Sequence, residues 1–471
     1  MSVRTRNKGK AQKTARRILM EDTISAISTA YGEGGIGIVR ISGEQTEDII
    51  EKIFGKVPEP RVMTYGHITD NFTGELIDEV MVCLFKAPKS YTAEDVAEIQ
   101  CHGSVVSLRK ILDLVIRNGA RLAEPGEFTR RAFLNGRLDL SQAEAVIDLI
   151  KARTDRTFET ALDQLQGGLS QKIRSIRAKL VDVLVDLTVN IDYPDEDIEE
   201  ITYDKLESSL EDIRDDILRL VKTIDTGRIL REGLRVSIIG KPNVGKSSLM
   251  NALLNENRAI VTEIPGTTRD TIEETLSIGD IPVVLTDTAG IRDTEDLIEK
   301  IGIEKSKEAF NRADLVIFIL DQGKELEEED LEITEVIGDR RAICLLNKSD
   351  LPKHLDTEVI RAKLPNASFI ETSITEGRGL DELVGSITSL VYSGEVKQEE
   401  STVITNVRHA ELLRQAEQSV DDALNMVRSR EALEVLEIDV NSAYDSLGLI
   451  IGEEVGDDII DEVFARFCLG K

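Results

Sequence analysis

Residues Gly240 to Ser248 read G-K-P-N-V-G-K-S-S and follow directly on the apolar run Val236-Ser237-Ile238-Ile239. A strand, a glycine-bounded loop and a helix start in that order carry the full G-x-x-x-x-G-K-[ST] spacing of a phosphate-binding loop. Glycines let such a loop curl until its N–H groups converge on phosphate oxygens. The stretch expected to touch nucleotide is therefore Asn243, Val244, Gly245, Lys246, Ser247 and Ser248. Lys246 would bring positive charge to the terminal phosphates, and the Ser247 hydroxyl can ligate Mg²⁺. The plainer alternative is a glycine-rich turn with no ligand, and the strand in front of the loop weighs against it. By itself the motif specifies only a nucleoside triphosphate.

Three further segments narrow the base. Asp287-Thr288-Ala289-Gly290 closes the apolar run from Pro282, where the carboxylate can reach Mg²⁺ through water and the Gly290 N–H can sense a γ-phosphate. Asn347-Lys348-Ser349-Asp350 ends the run Ile343-Cys344-Leu345-Leu346. There Asp350 can accept from both N1–H and the exocyclic amine of guanine. Adenine has an acceptor at that ring nitrogen and no such amine, so it would leave the carboxylate unpaired. Ser373-Ile374, after a strand over Ser368 to Glu371, suits a backbone contact to the guanine carbonyl. Gly266-Thr267-Thr268-Arg269-Asp270 supplies a switch threonine, Thr268, for Mg²⁺ and γ-phosphate. Each tetrapeptide is weak alone. All of them in this order read as a GTPase domain.

The hydrolytic group is less plain. In Ras-like switches a glutamine after D-x-x-G orients the attacking water; here that position is Ile291. Arg292, Asp293, Glu295, Asp296 and Glu299 are the nearby polar candidates, each of which is equally read as a solvated loop residue. Asn243 admits two readings: a ligand to a monovalent cation set against the phosphates, or an asparagine that stabilises the loop.

The elements that must position these groups follow from the rest of the chain. At 471 residues about three domains are expected, and 41% hydrophobic content supplies their cores. No apolar run is long enough for a membrane span. Four scattered cysteines and four histidines show neither a C-x-x-C pair nor metal-ligand spacing, which fits a reducing cytoplasmic setting. A net charge of −30 argues against indiscriminate nucleic-acid binding, though a local basic patch on one RNA stays open. Residues 1–21 stand apart, with seven Lys or Arg and no acid before Glu21. A disordered basic leader, a start displaced from Met20 and an organellar transit peptide are the competing readings.

Residues 22–138 mix β-rich runs (Ile36 to Ile41, Val80 to Leu84, Ile99 to Cys101) with a helical stretch over Ser104 to Asn118, an α+β domain. From Leu140 the grammar becomes helical. Ser141 and Glu144 read as a capping box, and Leu162, Leu165, Leu169, Ile173, Ile176, Leu180, Leu184 and Leu187 recur at spacings of three and four. A second proline-free helical stretch after residue 394 carries Leu412, Leu413, Ala416, Val420, Leu424 and Val427. The economical reading is one discontinuous all-α domain, 139–231 with 394–471, and a GTPase domain at 232–393 inserted in it as a doubly wound, mainly parallel sheet. The charge run Glu325 to Asp330 reads as a solvated loop.

Taken together, an N-terminal domain opening D-T-I-S-A-I-S-T at Asp22, a split helical domain, an inserted GTPase with G-T-T-R-D and D-T-A-G-I-R, and the ending Phe467-Cys468-Leu469-Gly470-Lys471 resemble the MnmE (TrmE) tRNA-modification GTPases. The likeness covers 22–471. It implies that an aminomethyl or carboxymethylaminomethyl group is added to C5 of the wobble uridine of certain tRNAs. It further implies a homodimer working with an FAD-containing, MnmG-type partner (a heterotetramer) and a tetrahydrofolate derivative, 5-formyl or 5,10-methylene, as one-carbon donor. By matching motif, folate contacts fall on Arg40, Glu98, Arg137 and Lys471, and K⁺ ligands on Asn243, Thr262, Ile264 and Thr267. Glu299 matches the water-orienting glutamate; Arg137 stands where some members have Lys. Chemically, a pterin offers a guanine-like donor edge to Glu98, and the arginines can pair with glutamyl carboxylates. Cys468 is either a nucleophile toward a uridine or folate carbon or a small residue packing the tail. The rival to this whole reading is a regulatory or ribosome-assembly GTPase that binds RNA without modifying it.

Overall fold

The computed structural model describes residues 22–30, 32–192, 203–256, 274–287, 310–392, 402–453, 455–468 and 470–471. Two compact units result: the described residues of Met1–Ile147 with Ile451–Lys471, and Asp148–Ile450.

In the first unit, alternating side chains build a sheet with one face in the core. Its elements are β1 (Ile24–Ile27), β2 (Gly34–Ser42), α1 (Thr46–Phe54), β3 (Thr64–Thr69), β4 (Leu76–Phe85), β5 (Val96–Gly103), α2 (Val105–Arg117), β6 (Arg121–Leu122), α3 (Glu127–Leu134) and α4 (Leu140–Lys151). The strands order as β3-β4-β5-β2-β1-β6, antiparallel except for β1 with β6. Val39, Ile41, Ala97, Ile99, Val82 and Leu84 form one core with Ile49, Ile53, Ile111 and Leu114 of the two helices. Because side chains alternate across a strand, Arg40, Glu98 and Cys83, which stand opposite one another in register, share the other face. Ser104 caps α2 by accepting from the Val106 N–H, so the expected Ser104 to Asn118 helix forms between its caps.

The capping box at the next helix differs from the sequence reading. Asp139, not Ser141, caps α4: its Oδ1 accepts from the Gln142 N–H at 3.0 Å, and Gln142 Oε1 accepts from the Asp139 N–H at 3.0 Å. The helix therefore starts at Leu140, one residue before Ser141, and Leu140 is fully buried. Ser141 and Glu144 are buried residues inside its first turns. The chain end also belongs to this unit. Asp457–Ala465 forms a helix whose Asp461 pairs with Arg130 at 2.8 Å, and Phe464 stacks against Phe133 and Phe467.

In the second unit the helical region is broken into α5 (Asp155–Leu165), α6 (Gly168–Asp192), α7 (Tyr203–Val221) and α8 (Ile224–Glu232). Thr154 and Thr157 cap α5 reciprocally, and Gly167 takes a left-handed φ of 93° just before α6. Within α6, Leu169, Ile173, Ile176, Leu180 and Leu187 are buried as the spacing requires, with Val183 taking the place expected of Leu184. The insertion then supplies β7 (Leu234–Ile239), α9 (Lys246–Glu256), β8 (Glu274–Ile278), β9 (Ile281–Asp287), β10 (Leu315–Asp321), α10 (Glu328–Ile337), β11 (Ala342–Asn347), α11 (Thr357–Lys363), β12 (Ser368–Glu371) and α12 (Leu380–Tyr392). Its strands order as β12-β11-β10-β7-β9-β8, parallel but for β8. The continuous apolar run of β10 is explained by burial on both faces. Leu315, Ile317 and Ile319 join Leu249, Leu253, Leu383 and Ile387 of α9 and α12, whereas Val316, Phe318 and Leu320 join Ile337 of α10, Ile360 of α11 and Leu364 just after it.

Residues 402–406 carry the chain back from the insertion. Gln164 of α5 donates to the Val403 carbonyl at 2.7 Å, and the Thr223 hydroxyl, just before α8, accepts from the Ile404 N–H at 3.1 Å. The return therefore lies beside the exit. Two helices follow, α13 (Val407–Ser429) and α14 (Leu433–Ile451), and α13 lies along α7. Leu413, Ala416, Val420, Leu424 and Val427 are its buried stripe, and Leu206, Leu210, Ile213 and Ile217 that of α7. Arg428 pairs with Glu207 and Glu211, each at 2.6 Å. Two helical stretches far apart in sequence thus form one bundle, with a mixed α/β fold between them.

Candidate functional site

The sheet of the second unit gathers its polar residues at one edge, because β7, β9, β10 and β11 are parallel and all end there. Open α/β sheets bind ligands at that carboxyl edge. Between Ile239 and Lys246 the loop turns through Gly240 at φ 149° and Gly245 at φ 112°. A side chain at Gly240 would meet the Ile319 carbonyl at 2.5 Å, so glycine is required there on two counts. Asn243 also takes a left-handed φ of 64°, and its exposed side chain meets no protein partner among the described residues. Val244 is buried and pins the loop. Lys246 Nζ donates to the Gly240 and Lys241 carbonyls at 2.6 and 2.8 Å, which holds the ammonium across the loop mouth. Ser247 and Ser248 are exposed in the first turn of α9.

The residues expected from the sequence to recognise the base are tied to that loop. Asn347 Nδ2 donates to the Val244 carbonyl at 2.7 Å, while its Oδ1 accepts from the Ile374 N–H at 3.3 Å and the Thr372 hydroxyl at 3.4 Å. One amide therefore joins three segments. Ser373 Oγ donates to Asp350 Oδ1 at 2.7 Å, and this bond holds the carboxyl below the usual carboxylate range. The group stays an acceptor near neutral pH. Lys348, at φ 63°, pairs with buried Asp321 at 2.6 Å. Asp321 ends the apolar run of β10 as Asn347 ends that of β11, a parallel visible in the sequence but not used.

Thr262, Ile264, Thr267, Thr268, Thr288, Ala289, Gly290 and Glu299 lie outside the described residues, as do Ile291, Arg292, Asp293, Glu295 and Asp296. Asp287 ends β9 opposite Ile238, and only its backbone is described. Among the described residues no group of three or more His, Cys, Asp or Glu is placed to hold a metal. For Mg²⁺ and K⁺ the donors that are described, the exposed Ser247 hydroxyl and the Asn243 amide, are chemically suited.

The solvated loop expected at Glu325 to Asp330 is a correction. Glu328 begins α10, and Asp330 is 2% exposed and faces Lys241 of the phosphate-binding loop at 2.7 Å. A charge run gives no hint of which of its members turns inward.

In the first unit, two of the four residues matched by resemblance, Arg40 and Arg137, lie over one aromatic ring, Glu98 bonds to Arg40, and Lys471 feels the charges of both Arg40 and Glu98. Arg40 Cζ lies 5.3 Å and Arg137 Cζ 4.9 Å from the centre of the Tyr91 ring, and Arg137 also donates to the Tyr91 carbonyl at 2.9 Å. Arg40 makes both its bonds, at 3.0 and 2.8 Å, to Glu98 Oε1. Glu98 Oε2 has no protein partner among the described residues. Burial pushes the Lys471 ammonium down from its ordinary value, with the charge of Arg40 acting the same way. Gly470 allows that approach: at φ 86° it passes so close to the Ile27 carbonyl that no side chain fits, and its own carbonyl accepts from Ser28 Oγ at 3.1 Å. Cys468 is exposed. Tyr91 was missed because a lone tyrosine between turns carries no sequence signal.

Comparison with known proteins gives a consistent result. Residues 140–468 match the family described as MnmE helical domain, and residues 23–137 match the GTP-binding protein TrmE N-terminus. The chain is 49% identical over 461 residues to the tRNA modification GTPase MnmE of Alkaliphilus metalliredigens, covering 96% of this chain and 100% of that protein. It is 51% identical over 461 residues to that of Clostridioides difficile, with the same 96% and 100% coverage. Among the described residues no helix is long and apolar enough to cross a membrane.

Proposed function

The chain belongs to the MnmE/TrmE family of tRNA modification GTPases, and from that premise we propose a division of labour among its residues. The protein is a GTP-hydrolysing enzyme of tRNA modification. GTP sits on the loop Asn243 to Ser248 with guanine between Asp350 and the Ser373-Ile374 backbone. Ser247 and Thr268 hold Mg²⁺, Asp287 reaches it through water, and the Thr288-Ala289-Gly290 segment senses the γ-phosphate. Glu299 orients the attacking water in place of the absent glutamine. The observation that supports this reading best is the Asn347 amide, which bonds the loop and the guanine-recognition segment at once.

In this reading Asn243, Thr262, Ile264 and Thr267 would hold K⁺, which would supply the positive charge that an arginine finger supplies elsewhere. Turnover of GTP in KCl should exceed that in NaCl by about tenfold or more, since finger-type charge is worth on the order of 10³–10⁵ in rate. Equal rates in the two salts would remove the cation.

The remaining assignments are the family's. A 5-formyl- or 5,10-methylene-tetrahydrofolate lies on Arg40, Glu98, Arg137 and Lys471, its pterin donating to Glu98. A homodimer acts in the cytoplasm with an FAD-containing, MnmG-type partner on C5 of the wobble uridine. The domain bounds in this reading are 22–138, 139–231 with 394–471, and 232–393, with the end of the helical domain, Ile451–Lys471, packing in the same unit as 22–138. GTP hydrolysis controls conformation and is not consumed in the bond made to uridine. Cys468, exposed near the Lys471 end of the chain, is the candidate nucleophile. Nucleoside analysis of tRNA from cells lacking the protein tests the reading. Wobble uridines without the C5 substituent are expected; a normal complement of substituted ones would refute it.

A further inference from the structure

We propose that Lys241 is a positioning residue for GTP hydrolysis, anchored by Glu327 and Asp330 so that the loop carbonyls orienting Lys246 stay fixed. Lys241 lies second in the phosphate-binding loop, and its ammonium is 2.7 Å from both carboxylates. Asp330 is itself held at the start of α10, where its Oδ2 accepts from the Glu327 N–H at 3.1 Å. At its other end the Lys241 carbonyl takes the Lys246 ammonium at 2.8 Å, next to that of Gly240 at 2.6 Å. A chain of contacts therefore runs from α10 through Lys241 to the group that meets the phosphates. Asn347 fixes the far side of the same loop at Val244.

An exposed ion pair in this position would matter little. This one is different: the Lys241 and Asp330 side chains are 11% and 4% exposed, so removing the ammonium strands a buried carboxylate. The strain of that stranded charge falls on the loop.

Steady-state GTP hydrolysis by Lys241→Met, Lys241→Arg, Asp330→Asn and the Lys241→Met/Asp330→Asn pair tests this, below the melting temperature of each. Lys241→Met should lose roughly tenfold to a hundredfold in kcat/KM, the scale of a catalytic group displaced by a fraction of an ångström. Lys241→Arg, which can still meet both carboxylates, should recover most of it. The double variant should be no worse than Lys241→Met, because both changes break one contact. A purely structural role would lower the melting temperature and leave kcat/KM unmoved. A kcat/KM for Lys241→Met within about twofold of the parent, a loss that persists in Lys241→Arg, or additive losses would each overturn the proposal. Should Lys241→Met fail to fold, the isosteric Asp330→Asn carries the same readout.

Discussion

Asp350→Asn is expected to lose GTP binding by on the order of a thousandfold or more, and to acquire xanthosine triphosphate in its place. The reason is a count of donors and acceptors. The carboxylate is kept ionised by Ser373 Oγ at 2.7 Å and offers only lone pairs, which match the N1–H and exocyclic amine of guanine. The amide that replaces it presents one acceptor and one donor. Its NH₂ would meet the guanine amine head-on, two donors facing one another. Xanthine has a carbonyl at that position and keeps N1–H, so both groups of the introduced amide would pair, with Ser373 still donating to the amide oxygen. The size follows from sites built to hydrogen-bond a particular edge, which reject analogues through the partners left unpaired. Direct calorimetric titration of the parent and the variant with unlabelled GTP and with xanthosine triphosphate checks it. Undiminished GTP affinity in the variant would take Asp350 out of base recognition.

That prediction was available from the sequence, and the reason is geometric. In a parallel sheet buried on both faces the strands are unbroken apolar runs, so the residue where polarity returns marks the carboxyl edge. Leu346 to Asn347 and Ile239 to Gly240 are such points, and the structure puts them at one rim. Leu320 to Asp321 is a third, and Asp321 holds Lys348 there. The bundle was legible for a similar reason, since stripes spaced by three and four on two distant segments need a common partner.

What could not be read depends on contacts between segments. The inward turn of Asp330 from an acidic run is decided by Lys241, far earlier in the chain, through an ion pair that no local pattern announces. The same holds for Tyr91, whose ring meets two arginines from β2 and the segment after α3. Even the capping box of α4 lies two residues earlier than the Ser-x-x-Glu spacing suggests, because Asp139 and Gln142 stand at the same spacing and make the two reciprocal bonds.

Lys246→Ala separates two ways in which GTP can serve tRNA modification. The ammonium is held over the loop by two carbonyls, at 2.6 and 2.8 Å, so its charge is in place before any phosphate arrives. Preorganised charge of this kind costs no rearrangement when negative charge moves toward the leaving oxygen. Its removal should lower kcat/KM for GTP by about 10³-fold or more, by analogy with other charges that face the transferred phosphoryl group. Alanine is a better helix former than lysine at the start of α9, so the fold should survive the change. If hydrolysis drives the working cycle and the proposed wobble-uridine chemistry holds, cells carrying only this variant accumulate tRNA with unsubstituted wobble uridines despite normal protein levels. Full modification alongside undetectable hydrolysis would instead make GTP dispensable to the chemistry. The two outcomes cannot both occur, because one nucleoside analysis reads them on the same tRNA.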